Sequence, residues 1–392
     1  MAQRRFLILL PLKGYYRRIA RGLGAALEER GAAVAYQALP VLSRHRSREA
    51  DPKAISREIA RFEPTDTFTI NVPKAALPIP PSVLHHCWVQ DLYDWIGAKR
   101  SANEKVWMWT SHWCPRWGGT FLPPATDYHK YFSRPESYHA DIAFVGFLPN
   151  ATIRMPANPQ IDRALTALFP CIHEKILTAG DYFTDWDYAK YLLRYAELRT
   201  NIYVHPPLRN TLLYHICNRL LRHVQRKELM DFLVPLAERR GWRLALAGRN
   251  WVLSPLYRPH TRGYIEPGPP LARFLQGAKV VLHVNGDTNF HVRVLECMGA
   301  GAFVLAKSHI TDGQQGGLRS LAGPEVVPTF EDFEDLEEKL NRYLEDDKAR
   351  REAIEKGVTI IRSYHTFANR VDLLLKEKPQ SQTALACSAS NS

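Results

Sequence analysis

The sequence predicts an α/β protein of two Rossmann-like, doubly wound domains that face a cleft, with a helical insertion in the second domain. Length is the first reason, because 392 residues exceed the ~100–200 residues of a single domain. The second is that short apolar runs alternate with amphipathic stretches towards both ends of the chain, as in parallel sheets covered by helices. The third is a block from about residue 155 to about residue 225 that keeps helical periodicity without strand-like runs.

The first domain is predicted over residues 1–140. The run RFLILL at 5–10 is continuously apolar, which suits a parallel strand buried on both faces. A helical pattern follows and stops at Gly31, and AVAYQAL comes next as a strand, so the chain opens with a β-α-β unit. Further strands are predicted at 66–72, 85–90 and 106–111.

The second domain is predicted over residues 141–376. It begins with the strand-like run DIAFVG, continues through the helical block, and then alternates between helices and strands again. In this alternation 227–241, 270–278 and 291–301 are expected to be helices, whereas 242–248, 279–285 and 302–307 are expected to be strands. Helices over 331–376 close the domain. The polar, small residues of 377–392 predict a disordered tail.

The formal net charge of +12 favours an anionic partner such as a nucleotide, a phosphate or a membrane surface, although an ordinary basic surface would give the same total. Nucleic acid is not expected, because no RRM, KH or zinc-finger signature occurs. The densest basic run, RLLRHVQRK at 219–227, is predicted to be a solvated helix face.

Six cysteines occur, without a CxxC pair and without the His/Cys spacing of a zinc site. No bound metal is therefore expected, and reduced thiols favour a cytoplasmic location. The N-terminal apolar run is too short for a transmembrane segment and lacks the features of a signal peptide. The basic surface remains compatible with peripheral membrane contact.

Polar side chains follow several predicted strands of the second domain. Arg249 and Asn285 follow two of them, and Arg293 and Glu296 lie three residues apart on the next helix. The carboxyl ends of parallel strands meet at one edge of a sheet, where α/β proteins bind ligands. Arginine suits phosphate oxygens, and a carboxylate suits paired ribose hydroxyls, so a nucleoside diphosphate would match this set. Spacing alone favours the simpler interpretation of an i,i+3 surface ion pair.

The stretch from 263 to 306 resembles the donor-site segment of the CgeB-like glycosyltransferases, which have the GT-B fold. The resemblance rests on a Gly-Tyr loop, a helix, a strand that ends in Asn, an Arg-x-x-Glu helix and a Gly-Ala-Gly exit. Three further motifs agree in order: AFVG at 143–146, AGRNW at 247–251 and SYHTFANRVDLLL at 363–375. The N-terminal half resembles the family only through WVQDLYDW at 88–95 and LPPATDYHKYF at 122–132.

The resemblance implies a metal-independent glycosyltransferase without a cofactor, which moves a sugar from a nucleoside-diphosphate-sugar donor to a glycan, protein or small-molecule acceptor. In this family Glu296 would hold the ribose, and Arg249 and Arg293 would hold the diphosphate. The full set of donor-binding candidates is Arg249, Gly263, Tyr264, Asn285, Asp287, Arg293 and Glu296. Many GT-B enzymes carry two glutamates separated by seven residues, but here Thr288, next to Asp287, occupies the first position.

Two residues of the first domain are candidate catalysts. Asp91 follows a predicted strand and could act as a general base, or it could cap the following helix. His112 also follows a predicted strand and could be catalytic or structural. Two other functions stay open from the sequence: a nucleotide-sugar epimerase of the same fold, and a non-catalytic nucleotide-sugar-binding module.

Overall fold

The computed structural model describes residues 3–11, 14–39, 52–91, 99–149, 159–179 and 186–377. The predicted disordered tail lies outside these residues from 378 onward. Contacts divide the described chain into two compact units. The first contains residues up to Asp127 together with those from Tyr364 onward, and the second contains Tyr128–Ser363.

The secondary structure of the described residues is given in chain order. The strands are β1 (Arg5–Pro11), β2 (Ala33–Leu39), β3 (Asp66–Ile70), β4 (Leu84–Val89), β5 (Glu104–Met108), β6 (Thr120–Phe121), β7 (Ala140–Val145), β8 (Leu244–Ala247), β9 (Thr261–Gly263), β10 (Ala278–His283), β11 (Val304–Lys307) and β12 (Thr329–Phe330). The helices are α1 (Tyr15–Glu29), α2 (Pro52–Phe62), α3 (Cys114–Trp117), α4 (Pro159–Ala179), α5 (Trp186–Thr200), α6 (Pro206–His215), α7 (Leu221–Arg240), α8 (Pro269–Gln276), α9 (Val292–Ala300), α10 (Leu318–Leu321), α11 (Phe333–Glu345), α12 (Asp347–Tyr364) and α13 (Phe367–Leu374).

The first unit is built on a sheet whose strand order, within the described residues, is β2-β1-β3-β4-β5-β6. Its strands pair in parallel. Every side chain from Phe6 to Leu10 is buried, because β1 lies inside the sheet and is covered on both faces, as its continuous apolar run predicts. The predicted doubly wound first half is therefore confirmed.

The last helix, α13, packs in the first unit, whereas the sequence placed 331–376 in the second domain. Gly22 of α1 permits the contact, since a β-carbon there would lie 2.4 Å from the ring of Phe367. Arg370 of α13 also donates to the carbonyl oxygens of Pro123 and Pro124, at 2.7 Å in each case. The amphipathic pattern of α13 predicts a helix but does not show which sheet it covers.

The second unit is built on a parallel sheet whose order, among the residues described, is β12-β11-β10-β7-β8-β9. Its core combines the inner strands β7, β8 and β10 with apolar side chains of α7 and α11. This arrangement confirms the predicted second doubly wound half, with β7 beginning at Ala140.

The helical block extends further than the sequence predicted. From Pro206 the chain stays helical through α6, one π-helical turn at Ile216–Leu220 and α7 to Arg240. Prolines at the start of α6 and Gly241, which has a left-handed φ of 68°, mark the two ends. The predicted boundary near residue 225 is therefore wrong, since no interruption separates the block from the helix predicted at 227–241.

None of the helices in the described ranges is both long enough and apolar enough to cross a membrane.

Candidate functional site

Glycines join the loops at the carboxyl ends of β7, β8 and β9. Gly248 has a φ of 137°, and a β-carbon there would lie 1.9 Å from the carbonyl oxygen of Gly146. Its N–H donates to the carbonyl of Gly263 at 2.8 Å. Only glycine satisfies both the backbone conformation and the close approach, so these residues fix where the following side chains begin.

Arg249 and Tyr264 follow these glycines and contact each other. The guanidinium carbon of Arg249 lies 5.0 Å from the centre of the Tyr264 ring, within cation–π distance. Both side chains are exposed. Burial of its hydroxyl, together with the nearby carboxylate of Glu266, raises the pKa of Tyr264 above its ordinary value. Two predicted donor-binding residues thus come together at this edge of the sheet.

The N-terminus of α9 is capped by a histidine. The ring nitrogen Nδ1 of His291 accepts a hydrogen bond from the backbone N–H of Arg293 at 3.0 Å. Burial lowers the pKa of His291 well below its ordinary value, so the ring is neutral and can accept. The ring of His283, at the end of β10, lies 5.2 Å away, and burial lowers its pKa to about 3.

Arg293 and Glu296 form the i,i+3 ion pair that their spacing permits, with Nη1 and Oε2 2.6 Å apart. The pair is not a surface pair, because the Glu296 side chain is 2% exposed and that of Arg293 is 20% exposed. Desolvating two charges is costly. The arrangement therefore differs from the exposed pair that spacing alone describes.

Two further arginines approach from α7, one helical turn apart. Arg222 donates to a carboxylate oxygen of Asp287 at 2.7 Å, and Asp287 is 2% exposed. Arg226 donates to the carbonyl of Phe147 and lies over its ring, 5.2 Å from the centre. Burial, with the nearby charges of Arg222 and Arg293, lowers the pKa of Arg226 to about 9.

The guanidinium groups of Arg222 and Arg293 are therefore both close enough to that of Arg226 to repel it, and the three residues form an arginine cluster. Two carboxylates, Asp287 and Glu296, pair with members of this arginine cluster, which leaves positive charge in excess. The N-terminus of α9 adds the positive end of a helix dipole. Such an arrangement suits a bound polyanion.

The loop between β10 and α9 is shaped by its own polar side chains. The amide nitrogen of Asn285 donates to the carbonyl of Thr288 at 3.0 Å, and Asn285 is buried. The hydroxyl of Thr288 accepts from the N–H of Phe290 at 3.1 Å. In these contacts Asn285 and Thr288 stabilise the turn.

In the first unit, Asp91 and His112 follow the neighbouring strands β4 and β5. The carboxylate of Asp91 accepts from the hydroxyl of Tyr16 and, at 3.0 Å, from the amide of Asn71. His112 lies on a 3₁₀ turn with Nδ1 3.0 Å from the hydroxyl of Thr110. The helix that Asp91 would cap falls at 92–98, outside the described residues.

Residues 222–376 match a family model described as glycosyl transferase-like. Three solved structures have similar folds. Sucrose-phosphate synthase from Thermosynechococcus elongatus is 12% identical with a TM-score of 0.56, covering 95% of this chain and 98% of its own. An alpha-glucosyltransferase in complex with UDP and a 13-mer DNA is 9% identical with a TM-score of 0.57, and the match covers 95% of this chain and 98% of that chain. WaaG, a glycosyltransferase involved in lipopolysaccharide biosynthesis, is 11% identical with a TM-score of 0.53, and the match covers 95% of this chain and 100% of that chain.

The chain has the GT-B glycosyltransferase fold. The family match indicates the class of enzyme, and the fold and the family match together support a transferase. A comparison with curated proteins gave no significant match. The more specific resemblance to the CgeB-like group stays a prediction.

Sequence reasoning missed the two α7 arginines of this GT-B chain. The run 219–227 was predicted to be a solvated face, which is wrong for Arg222 and Arg226. One signal was available: Leu220, Leu221 and Val224 between and beside them are buried, and apolar residues on several sides of a helix indicate one without a broad solvent face.

Among the residues described, no group of three His, Cys, Asp or Glu side chains is placed to hold a metal ion.

Proposed function

We propose that the chain is a glycosyltransferase that moves a sugar from a nucleoside-diphosphate-sugar donor to an acceptor hydroxyl without a metal ion. The convergence of Arg222, Arg226 and Arg293 at the N-terminus of α9 carries the proposal. Arginine remains charged and binds phosphate oxygens in a bidentate manner. The cluster would therefore stabilise the negative charge that develops on the leaving diphosphate.

The charge crowding in the cluster supports an anionic ligand. Burial and two like charges lower the pKa of Arg226 to about 9, so the folded protein holds this cation at a cost in free energy. A diphosphate would relieve the repulsion when it binds. Arg249, stacked on Tyr264 at the same edge of the sheet, is proposed as a further phosphate contact.

Glu296 is proposed to bind the ribose. Its carboxylate is paired with Arg293 at 2.6 Å, but a carboxylate has about four lone-pair sites and can accept from hydroxyl groups as well. The ion pair would then orient the carboxylate, and the Arg293 guanidinium could contact ribose-linked phosphate from the same position.

Asp91 is proposed as the base that accepts the proton of the acceptor hydroxyl, with His112 as the second candidate. The hydrogen bonds from Tyr16 and Asn71 fix the orientation of the Asp91 carboxylate, as a positioned base requires. Asp91→Asn is expected to lower turnover at least about a hundredfold, the lower range for loss of general-base catalysis, with donor affinity retained. Equal turnover in Asp91→Asn and wild type would exclude this role.

The acceptor is proposed to be a glycan, a protein or a small molecule that carries a hydroxyl group. A cytoplasmic location is part of the same proposal. It is supported by thiols of the described residues that form no disulfide, at Cys87, Cys114, Cys171 and Cys297.

The first test is a thermal-shift panel of UDP, GDP, CDP, ADP, dTDP and their common sugar conjugates, with EDTA and then with magnesium. Binding to the folded state raises the melting temperature by mass action. One nucleotide should give a shift that survives EDTA, and Arg222→Gln should reduce it, whereas Arg239→Gln at the exposed end of α7 should not. A shift that requires magnesium would refute metal independence.

Turnover assays on the ligand that binds then separate the alternatives. Release of the nucleoside diphosphate with an acceptor supports a transferase. Conversion to an isomeric nucleotide sugar would indicate an epimerase. Tight binding with neither product, across a broad acceptor panel, would indicate a non-catalytic module.

A further inference from the structure

Two buried polar side chains lie next to each other at the carboxyl ends of β10 and β11. Asn289 is 0% exposed and Asp312 is 8% exposed. The amide nitrogen of Asn289 donates to the carbonyl of Lys307 at 2.6 Å and to Oδ2 of Asp312 at 3.0 Å. Oδ2 of Asp312 also accepts from the N–H of His309 at 2.9 Å.

One oxygen of each side chain has no hydrogen-bond donor among the described residues. These atoms are Oδ1 of Asn289 and Oδ1 of Asp312, and both are enclosed. Reversing the Asn289 amide would not help, because its oxygen would then face two acceptors, the Lys307 carbonyl and the Asp312 carboxylate. A buried acceptor without a donor is destabilising, so the pair suits a ligand that supplies two donors.

The loops that carry this pair are fixed to each other by His309. Its Nε2 lies 3.1 Å from the carbonyl of Gly286, and its Nδ1 lies 3.2 Å from the N–H of Thr311. Burial lowers the pKa of His309, so the neutral ring donates through Nε2 and accepts through Nδ1. The pair is consequently held at a defined place in the unit.

That place is within reach of a sugar attached to the proposed diphosphate. Asn289 precedes the α9 cap His291 by two residues, a separation of at most about 7 Å along the chain. The neighbouring Asp287 contacts Arg222 of the arginine cluster. A diphosphate held by that cluster and by the N-terminus of α9 would therefore place its sugar beside this loop.

We propose that Asn289 Oδ1 and Asp312 Oδ1 together accept hydrogen bonds from two adjacent hydroxyl groups of the transferred sugar, and so help to determine which donor the enzyme selects. This inference rests on the proposed function. Sites whose buried polar groups are completed by a substrate hydroxyl reject analogues that lack it, because the protein group is then left unpaired.

Asp312→Asn tests the pairing with little other change. An asparagine whose oxygen replaces Oδ2 still accepts from His309 and Asn289, so only the unpartnered oxygen changes, from a charged acceptor to an amide donor. We expect the affinity for the nucleotide sugar identified in the panel to fall about tenfold or more, because a hydrogen bond to a charged group contributes at least that factor. Affinity for the matching nucleoside diphosphate should stay within about twofold.

Asp332→Asn is the matched control, because Asp332 caps α11 through one side-chain bond to the N–H of Asp335 and should change neither affinity. If Asp312→Asn does not fold, Asn289→Ala is measured in the same way. Equal losses for both ligands, or no loss for either, would overturn the inference, the latter because ordered water would then satisfy the oxygens. Failure of the wild type to bind either ligand would instead refute the proposed function itself.

Discussion

Gly248→Ala is expected to damage both stability and nucleotide binding. The added β-carbon would lie 1.9 Å from the carbonyl oxygen of Gly146, so one of the two backbones must move by roughly 1 Å or more to reach ordinary contact. The movement would strain two hydrogen bonds. The N–H of Gly248 donates to Gly263 at 2.8 Å, and the indole of Trp251 donates to Gly146 at 2.6 Å.

The expected loss of stability follows from the strained backbone conformation and from the two weakened hydrogen bonds. A side chain held at a sparsely populated positive φ costs about 1–3 kcal/mol, and each weakened hydrogen bond costs about 0.5–1.5 kcal/mol. Gly248→Ala should therefore lower the free energy of unfolding by about 2–6 kcal/mol. Because Arg249 directly follows Gly248, nucleotide affinity should fall in the same variant.

Gly241→Ala is the matched control. Gly241 also has a positive φ, 68°, but nothing lies within 4 Å of its added β-carbon. It should show only the conformational part of the loss, and its nucleotide affinity should equal that of the wild type. Chemical denaturation midpoints measure the stabilities, and titration of the nucleotide identified in the panel measures the affinities. Equal destabilisation of the two variants would refute the argument from close approach.

Arg226→Gln should leave the unliganded protein at least as stable as the wild type, because the substitution removes a cation that two other arginines repel. The same variant should show a smaller rise in melting temperature when the nucleotide binds. A destabilised variant whose melting temperature still rises as much as that of the wild type would contradict both expectations. Burial would raise the pKa of Asp141, but hydrogen bonds led by those from Arg243 hold it at about 2. Its stabilisation is therefore present above pH ~4 and lost as pH falls through about 2. Asp141→Asn should be less stable at pH 7 by up to about 2 kcal/mol and converge with the wild type in acid denaturation. Glu197→Gln should destabilise the helical block by about 1–3 kcal/mol, the range for losing a hydrogen bond to a charged group, because Glu197 is 0% exposed and pairs with Arg209 at 2.6 Å. Unchanged helix melting by circular dichroism would exclude that contribution.

The longer strands of both sheets could be predicted because burial on both faces requires continuous apolar runs, whereas the short edge strands β6, β9 and β12 carry no such run and were not predicted. The run at 5–10 became β1, Arg5–Pro11, and the run predicted at 279–285 became β10, Ala278–His283. Helix destinations were harder, since an apolar stripe shows that a helix is covered but not by what. For this reason the sequence placed α13 in the second domain, whereas it packs in the first unit, where its Phe367 lies against Gly22 of α1.

The site was partly predictable for a related reason. Strand ends in a parallel sheet share one edge, so Arg249 and Arg293 could be placed together from the order of the strands alone. Arg222 reaches the same site from a helix, and its partner Asp287 is 65 residues away in sequence. Local pattern cannot reveal such a pairing. It can reveal an arginine among apolar residues, however, because Leu220, Leu221 and Val224 surround Arg222 in the sequence. A cation that loses its hydration on such a helix must be compensated elsewhere in the fold. Here Asp287 compensates Arg222 and Glu296 compensates Arg293, and the remaining positive charge, on Arg226, is what the proposed diphosphate would neutralise.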